Sequence, residues 1–262
     1  MPELPEVEIF KRYLDATSLH QPIEGVEVRN AYILKKTSAR ELARRLKKRG
    51  FESSQRHGKH LFVRTDGGFW LRFHFGMTGS LQYFKNNEQV PRHARVVFVF
   101  ANNHRLAFDD QRQFGGIDLV KDVDEFLKKR ALGPDALKID LQEFRKILRK
   151  RQGAVKSVLL HQRIIAGIGN LYADEILFRV CMHPKTEVSR LGDKAVTRIF
   201  RAIGYVLRKA IAAKADANQM PQSWLLPHRG KGGKCPRCGT RLESANIGGR
   251  TTWFCPHCQK RR

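Results

Sequence analysis

Phe69-Trp70-Leu71-Arg72-Phe73-His74-Phe75 sets an apolar residue at every second position, with Trp70, Arg72 and His74 between them. Successive strand side chains point to opposite faces, so Phe69, Leu71, Phe73 and Phe75 would line one face of a sheet. The same reading extends outward in both directions. Residues 51–63, 81–84, 94–100 and 105–108 are short apolar or alternating segments, divided by turn signals such as Asp66-Gly67-Gly68 and Asn102-Asn103. From about residue 23 to 120 the chain reads as a β-sandwich, with helical patterns flanking it at 5–14 and 39–48. Beyond Val120 the period lengthens, and helices are expected at 124–130, 141–150, 172–179 and 193–213, with Gly133-Pro134 as a break. A cysteine module closes the chain. The expected class is α+β, divided as 1–122, 123–228 and 229–262.

At 262 residues the chain has room for two domains and a sizeable core. Fifty Lys and Arg against 25 acidic residues give a formal charge of +25. That excess calls for a polyanionic partner, nucleic acid before membrane. There is no apolar run of about 18 residues to span a bilayer and no charged-then-apolar leader. The expectation is an intracellular chain.

Cys235-Pro236-Arg237-Cys238 and Cys255-Pro256-His257-Cys258 are separated by sixteen residues. Two CxxC knuckles at that spacing match a four-cysteine zinc site, and four thiolates close the shell, so the expected metal is one structural Zn2+ per chain. Disulfides are the competing reading and suit a secreted chain better. His257 stands outside the ligand set. Cys181 is left over and reads as a small core residue.

The first eight residues, Met1-Pro2-Glu3-Leu4-Pro5-Glu6-Val7-Glu8, admit two readings. Pro5 suits a first helical turn, and Glu6 and Glu8 complement the helix dipole. Alternatively, removal of the initiator methionine leaves Pro2 as a free secondary amine. An α-amino group titrates near pH 8, so an uncharged fraction exists at neutrality. A secondary amine attacking a sugar aldehyde carbon gives an iminium with no proton to lose, hence an electron sink. Glu3 is then a candidate proton donor and Glu6 a second carboxylate.

Other stretches add polar equipment. Lys59 lies in a basic turn, Gln55-Arg56-His57-Gly58-Lys59-His60-Leu61. Met77 sits between Gly76 and Gly79, as at a tight loop tip. Arg112 and Phe114 are two apart and would point the same way on a strand. His93, Arg151 and Lys156 belong to basic clusters in loop-like positions. Gly167-Ile168-Gly169-Asn170 is a glycine turn opening a helix, where backbone N–H groups and Asn170 suit phosphate. Gly248-Gly249-Arg250 reads as a hairpin tip displaying Arg250.

Taken together, MPELPEVE, the Lys59 segment, the Gly167–Asn170 turn and the paired knuckles resemble the formamidopyrimidine-DNA glycosylase / endonuclease VIII family. The resemblance implies a helix–two-turn–helix motif and a zinc finger behind the sandwich. It implies DNA glycosylase and abasic-site lyase activity on duplex DNA holding oxidised bases or abasic sites, by a monomer, with β- then δ-elimination. Pro2 would be the Schiff-base nucleophile, Glu3 the general acid, Lys59 a phosphate contact and proton-transfer group, and Arg250 a phosphate clamp for the second elimination. Met77, Arg112 and Phe114 would fill the gap left by the damaged base, and His93, Arg151, Lys156 and Asn170 would meet phosphates. Those three gap-filling residue types fit the purine-repair branch, formamidopyrimidine and 8-oxoguanine, rather than the oxidised-pyrimidine branch. A catalytically silent zinc protein that binds damaged DNA would not need Pro2, Glu3 and Lys59 together. Residues 214–234 depart from the family's longer Gly/Thr-containing loop, which bears on preference for 8-oxoguanine.

Overall fold

The computed structural model describes residues 1–261, and the chain divides into two compact units, Met1–Arg130 and Ala131–Arg262. The first unit runs α1 (Leu4–Ser18), β1 (Ile23–Val28), α2 (Ala39–Leu46), β2 (Phe51–His57), β3 (His60–Thr65), β4 (Trp70–His74), β5 (Ser80–Lys85), β6 (Ala94–Phe100), β7 (His104–Asp109), β8 (Gly116–Val120) and α3 (Val123–Lys129). Its strands form two four-stranded antiparallel sheets, ordered β1-β6-β7-β5 and β2-β3-β4-β8. The alternation in β4 does what its period requires: Leu71 and Phe73 are fully buried and Phe75 nearly so. Phe73 meets Phe98 and Phe108 of the other sheet with ring centroids 6.1 and 6.0 Å apart. The core is therefore the inner faces of a sandwich.

The outer face of the second sheet is also covered. Arg72 and Asp118 are directly paired across β4 and β8 and form a buried ion pair, with Arg72 Nε 2.7 Å from Asp118 Oδ2. Phe126 of α3 packs edge-on against His60 and Phe62 and lies under the Arg72 guanidinium. Residues 51–63, read as one segment, are two strands joined by a two-residue hairpin, with Gly58 at φ 54°. A left-handed first turn position is open to glycine, and Gly58 supplies it. Residues 111–115 hold no strand. Arg112 and Phe114 ride a loop, so their common side is not set by a strand's pleat.

The second unit contains α4 (Leu141–Arg149), α5 (Val155–Leu160), α6 (Asn170–Arg179), α7 (Asp193–Ala212) and a hairpin of β9 (Glu243–Ile247) and β10 (Arg250–Phe254). In α7, Val196, Ile199, Ala202, Ile203, Val206, Leu207, Ala210 and Ile211 are buried, one apolar stripe at helical spacing. α6 is buried from Tyr172 to Phe178, and a helix enclosed on all sides belongs in a core. Phe178, Leu225, Cys235, Leu242 and Cys255 form one apolar cluster, so the cysteine module packs on the helices of its own unit. Residues 214–234 hold two short 3-10 turns, Ala217–Gln219 and Leu226–His228, and bury Trp224 and Leu225.

Candidate active site and nucleic-acid interface

The N-terminal octet forms the expected helix start, and that start fixes where Glu3 and Glu6 lie relative to Pro2. Glu3 is the N-cap of α1 and forms a capping box with Glu6. Glu6 Oε2 accepts the Glu3 amide at 2.8 Å, which fixes the backbone one residue from Pro2. Glu3 itself is 1% exposed. The helix start is the device that seats the carboxyl beside the proline.

A second link runs from α1 to the Lys59 turn. Arg56, buried on β2, donates from Nε to Glu8 Oε2 at 3.0 Å and from Nη1 to the Gly58 carbonyl at 3.1 Å. One guanidinium thus spans the helix that bears Glu3 and the turn that bears Lys59. A planar fork of donors does this where a lysine could not. Sequence reading missed the pair, since 48 residues separate Glu8 from Arg56 and each looks like a surface charge.

Two imidazoles stand near Lys59. Burial pulls His60 well below its ordinary value, and His74 and Arg72 pull in the same direction. Burial, then Arg72 and Lys59, lower His74 to about 4. Both rings are neutral at pH 7. His74 Nδ1 accepts the Gly76 amide at 3.2 Å, so its proton is on Nε2. The neutral ring orients the loop that leads to Met77.

Met77 is 36% exposed and Phe114 58%, among the largest apolar side chains the surface shows. Arg112 is exposed, and its guanidinium carbon lies 5.1 Å from the Phe114 ring centroid. The pair shares a side through this cation–π contact. His93 is half-buried just ahead of β6, its amide donating to Asp109 Oδ1 at 2.9 Å.

In the second unit, Arg151 is exposed in the loop before α5. Lys156 is not. The expectation of a loop lysine open to phosphate is corrected: Lys156 lies on α5, 0% exposed. Its Nζ lies 2.6 Å from Asp174 Oδ1, 2.7 Å from Asn170 Oδ1 and 2.6 Å from Thr252 Oγ1. Asp174 Oδ2 also accepts Arg229 Nη2 at 2.7 Å and the Trp253 amide at 3.1 Å. Asn170, first residue of α6, donates Nδ2 to the Thr251 carbonyl at 3.0 Å. An amide nitrogen carries two hydrogens, which leaves Asn170 a second donor. This buried network bolts the Arg250 hairpin to the turn before α6. Its one readable sign is Asp174, an acid in the buried middle of α6. The turn is knit by Gln162, whose Oε1 accepts the Gly167 amide at 2.9 Å and whose Nε2 donates to the Ile168 carbonyl at 2.8 Å.

Gly248 and Gly249, at φ 59° and 71°, are the two central residues of the β9–β10 hairpin. Left-handed values at both positions are what a type I′ turn demands. The exposed Arg250 follows at once.

Sγ atoms of Cys235, Cys238, Cys255 and Cys258 all lie within 4.8 Å of one another, with neighbouring pairs at 3.5 and 3.9 Å. Zn–S bonds of about 2.3 Å in a tetrahedron set sulfur atoms roughly 3.8 Å apart, so the cluster fits zinc. Hydrogen bonding with Thr240 holds the Cys238 thiol down at about 6, while burial pushes Cys255 and Cys258 up. Four thiolates this close need a cation between them. His257 is exposed and takes no part in the cluster. Cys181 is exposed rather than a core residue, at φ 52°, and its sulfur accepts Arg237 Nη1 at 2.8 Å. No helix among the described residues is long and apolar enough to cross a membrane.

Three domain models match: the formamidopyrimidine-DNA glycosylase N-terminal domain over residues 1–117, its H2TH domain over 132–222, and a zinc finger found in FPG and IleRS over 232–261. Formamidopyrimidine-DNA glycosylases of Pelotomaculum thermopropionicum and Solibacter usitatus are 35% and 37% identical, over 99% and 100% of this chain and 99% and 100% of theirs. A Lactococcus lactis Fpg solved with abasic-site DNA superposes with a TM-score of 0.90 at 30% identity, covering 99% of this chain and 100% of that one. The same enzyme with a DNA containing N7-benzyl-Fapy-dG gives 0.91 at 30%, with the same coverage. An α+β chain built of a sandwich, a helical unit and a four-thiolate finger is thus the architecture these relatives share. The chain belongs to the formamidopyrimidine-DNA glycosylase family, on that branch rather than the endonuclease VIII branch.

Proposed function

We propose that the chain repairs duplex DNA by excising oxidised purines through a Pro2 Schiff base and then nicking the abasic strand. The observation that carries the reading is the Glu6–Glu3 capping box together with the Glu8–Arg56–Gly58 link. They join the proline end of α1 to the Lys59 turn, as coupled acid–base work requires.

With Met1 removed, the Pro2 nitrogen attacks C1′ of the extruded nucleotide. The bond to the base breaks, its electron pair leaves with the base, and the departing base takes up the proton that the attacking nitrogen loses. Glu3 supplies the proton that opens the sugar, and the C1′ iminium forms. The iminium acidifies the C2′ hydrogen, and loss of that proton expels the 3′ phosphate. Lys59 serves proton transfer and phosphate contact, and Glu6 orders Glu3. A second elimination expels the 5′ phosphate, with Arg250 on the phosphate. His93, Arg151 and the second donor of Asn170 hold the backbone, and Lys156 holds Asn170. Met77, Arg112 and Phe114 occupy the gap left by the extruded base. We assign the division of labour to segments 1–122, 123–228 and 229–262, with α3 at the start of the second packing on the sandwich of the first. Free thiolates on zinc suit a reducing, intracellular setting.

Borohydride reduction in the presence of a lesion duplex tests the chemistry. The expected product is a protein–DNA adduct that peptide mapping assigns to the Pro2 nitrogen. A link at Lys59, or efficient trapping by protein that retains Met1, would overturn the assignment.

A further inference from the structure

The loops that carry Met77 and the Arg112–Phe114 pair are fastened together by a polar clasp. Asp110 is fully buried. Its Oδ1 accepts the Thr78 hydroxyl at 2.5 Å and its Oδ2 accepts the Gly115 amide at 2.8 Å. The Thr78 oxygen in turn accepts the Arg112 amide at 3.0 Å. One carboxylate and one hydroxyl thus grip the residue after Met77, the amide of Arg112 and the residue after Phe114. Backbones touch as well. Gly76 has φ 58°, and a Cβ there would lie 2.4 Å from both the Phe114 carbonyl carbon and the Gly115 nitrogen.

A second tether holds the middle of the Arg112–Phe114 loop. Gln113 stands at φ 57°, a left-handed value uncommon outside glycine. Its Oε1 accepts Asn30 Nδ2 at 2.8 Å. Asn30 is itself immobilised: its Oδ1 accepts the Tyr32 amide at 2.9 Å, and its amide donates to the Arg95 carbonyl at 3.2 Å. Arg95 closes the circuit by donating Nε to the Asp110 carbonyl at 2.9 Å.

Resting on the reading of Met77, Arg112 and Phe114 as the residues that enter the duplex, we propose that Thr78, Asp110 and Asn30 are positioning residues that present those three side chains as one preformed wedge. Ordering exposed side chains opposes binding when it happens at the interface. Here the backbone that carries them is set on folding, before DNA arrives. The opening of the base stack then depends on the clasp. Elimination at an abasic residue in a single strand, where nothing has to be opened, does not.

The test compares Thr78→Val, which keeps the volume and removes donor and acceptor together, with Thr78→Ser and with Asn30→Ala, which acts from the opposite side. Two substrates are used: a duplex with one formamidopyrimidine opposite cytosine, and a single-stranded oligonucleotide with one abasic site. A 2-aminopurine beside the lesion reports unstacking. Loss of a hydrogen bond to a buried carboxylate is expected to slow duplex excision and unstacking about tenfold or more in Thr78→Val. Asn30→Ala should slow them less, and Thr78→Ser should restore them. Single-strand cleavage should stay within about twofold, the scatter expected of a remote surface change. An equal fall on both substrates, or full duplex activity in Thr78→Val, would overturn the proposal. Wild-type protein that cleaves neither substrate would remove the catalytic reading on which it rests.

Discussion

Arg112 shows how much one exposed residue can decide. Its guanidinium lies against Phe114 and offers several donors and no acceptors. Opposite an extruded purine, cytosine presents two adjacent acceptors, N3 and O2, beside one amino donor, whereas adenine presents a single acceptor beside an amino donor that opposes the guanidinium. A matched polar contact discriminates by roughly 1–3 kcal/mol, about ten- to hundredfold in rate. Single-turnover excision should therefore be faster opposite cytosine than adenine, with formamidopyrimidine at least as good a substrate as 8-oxoguanine. Arg112→Ala should flatten the opposite-base preference; unchanged selectivity in that variant would remove Arg112 from the role. Glu8 makes a different kind of prediction. It touches no DNA in this reading, yet it anchors Arg56 and through it the Gly58 carbonyl. Glu8→Gln keeps the shape and weakens a charge-assisted bond worth about 1.5–3 kcal/mol. The expected result is a lower rate of β-elimination with substrate affinity nearly unchanged. A variant that loses affinity but not rate would make Glu8 a mere surface charge.

Among the elements, the β9–β10 hairpin depends on metal at one end and on a buried ammonium at the other. The thiolate cluster folds the base of the finger, while Lys156, Asp174 and Thr252 hold the strand after Arg250. Because structural zinc couples binding to folding, chelation should melt the finger, withdraw Arg250 and leave the sandwich intact. Metal release followed alongside amide exchange of β9 and β10 checks this. Full strand cleavage by zinc-free protein would sink it. Such elements were unequally legible. The alternation of 69–75 and the CxxC pair could be read directly, because period and spacing are local. The break at Gly58 within 51–63 was hidden among polar residues that strands and turns both accept. β8 was obscured by Asp118, whose partner Arg72 lies 46 residues earlier. Lys156 looked solvated because it follows a basic run, and only Asp174 on a later helix makes its burial tolerable. The Thr78–Asp110 clasp spans 32 residues and leaves no periodic trace.

Across the whole molecule, the two units should answer pH in opposite senses. In the first, burial lowers His74 from 6.5 to about 4 and takes His60 well down too. Between those values an unfolded histidine binds a proton that the folded one refuses. This unit is therefore favoured above pH 6.5 and loses stability as pH falls toward 4. At 1.36 kcal/mol per pKa unit, His74 alone contributes about 3 kcal/mol. In the second unit, burial raises Glu175 from 4.5 to about 7, against the opposing Leu226 and Leu225 amides. Here the folded state keeps a proton that the unfolded state gives up. The contribution is complete below pH 4.5 and is lost as pH rises through 7, again about 3 kcal/mol. Moving from pH 7.5 to 5 should weaken protection of amides in β3 and β4 and strengthen it in α6. Hydrogen exchange resolved by peptide, corrected for the intrinsic rate at each pH, reads both changes at once. Glu175→Gln, which keeps a neutral side chain at every pH, should abolish the slope in α6 and leave that in β4 untouched. Protection that moves in the same direction in both units, or a slope in α6 that survives Glu175→Gln, would show that other groups set the pH response.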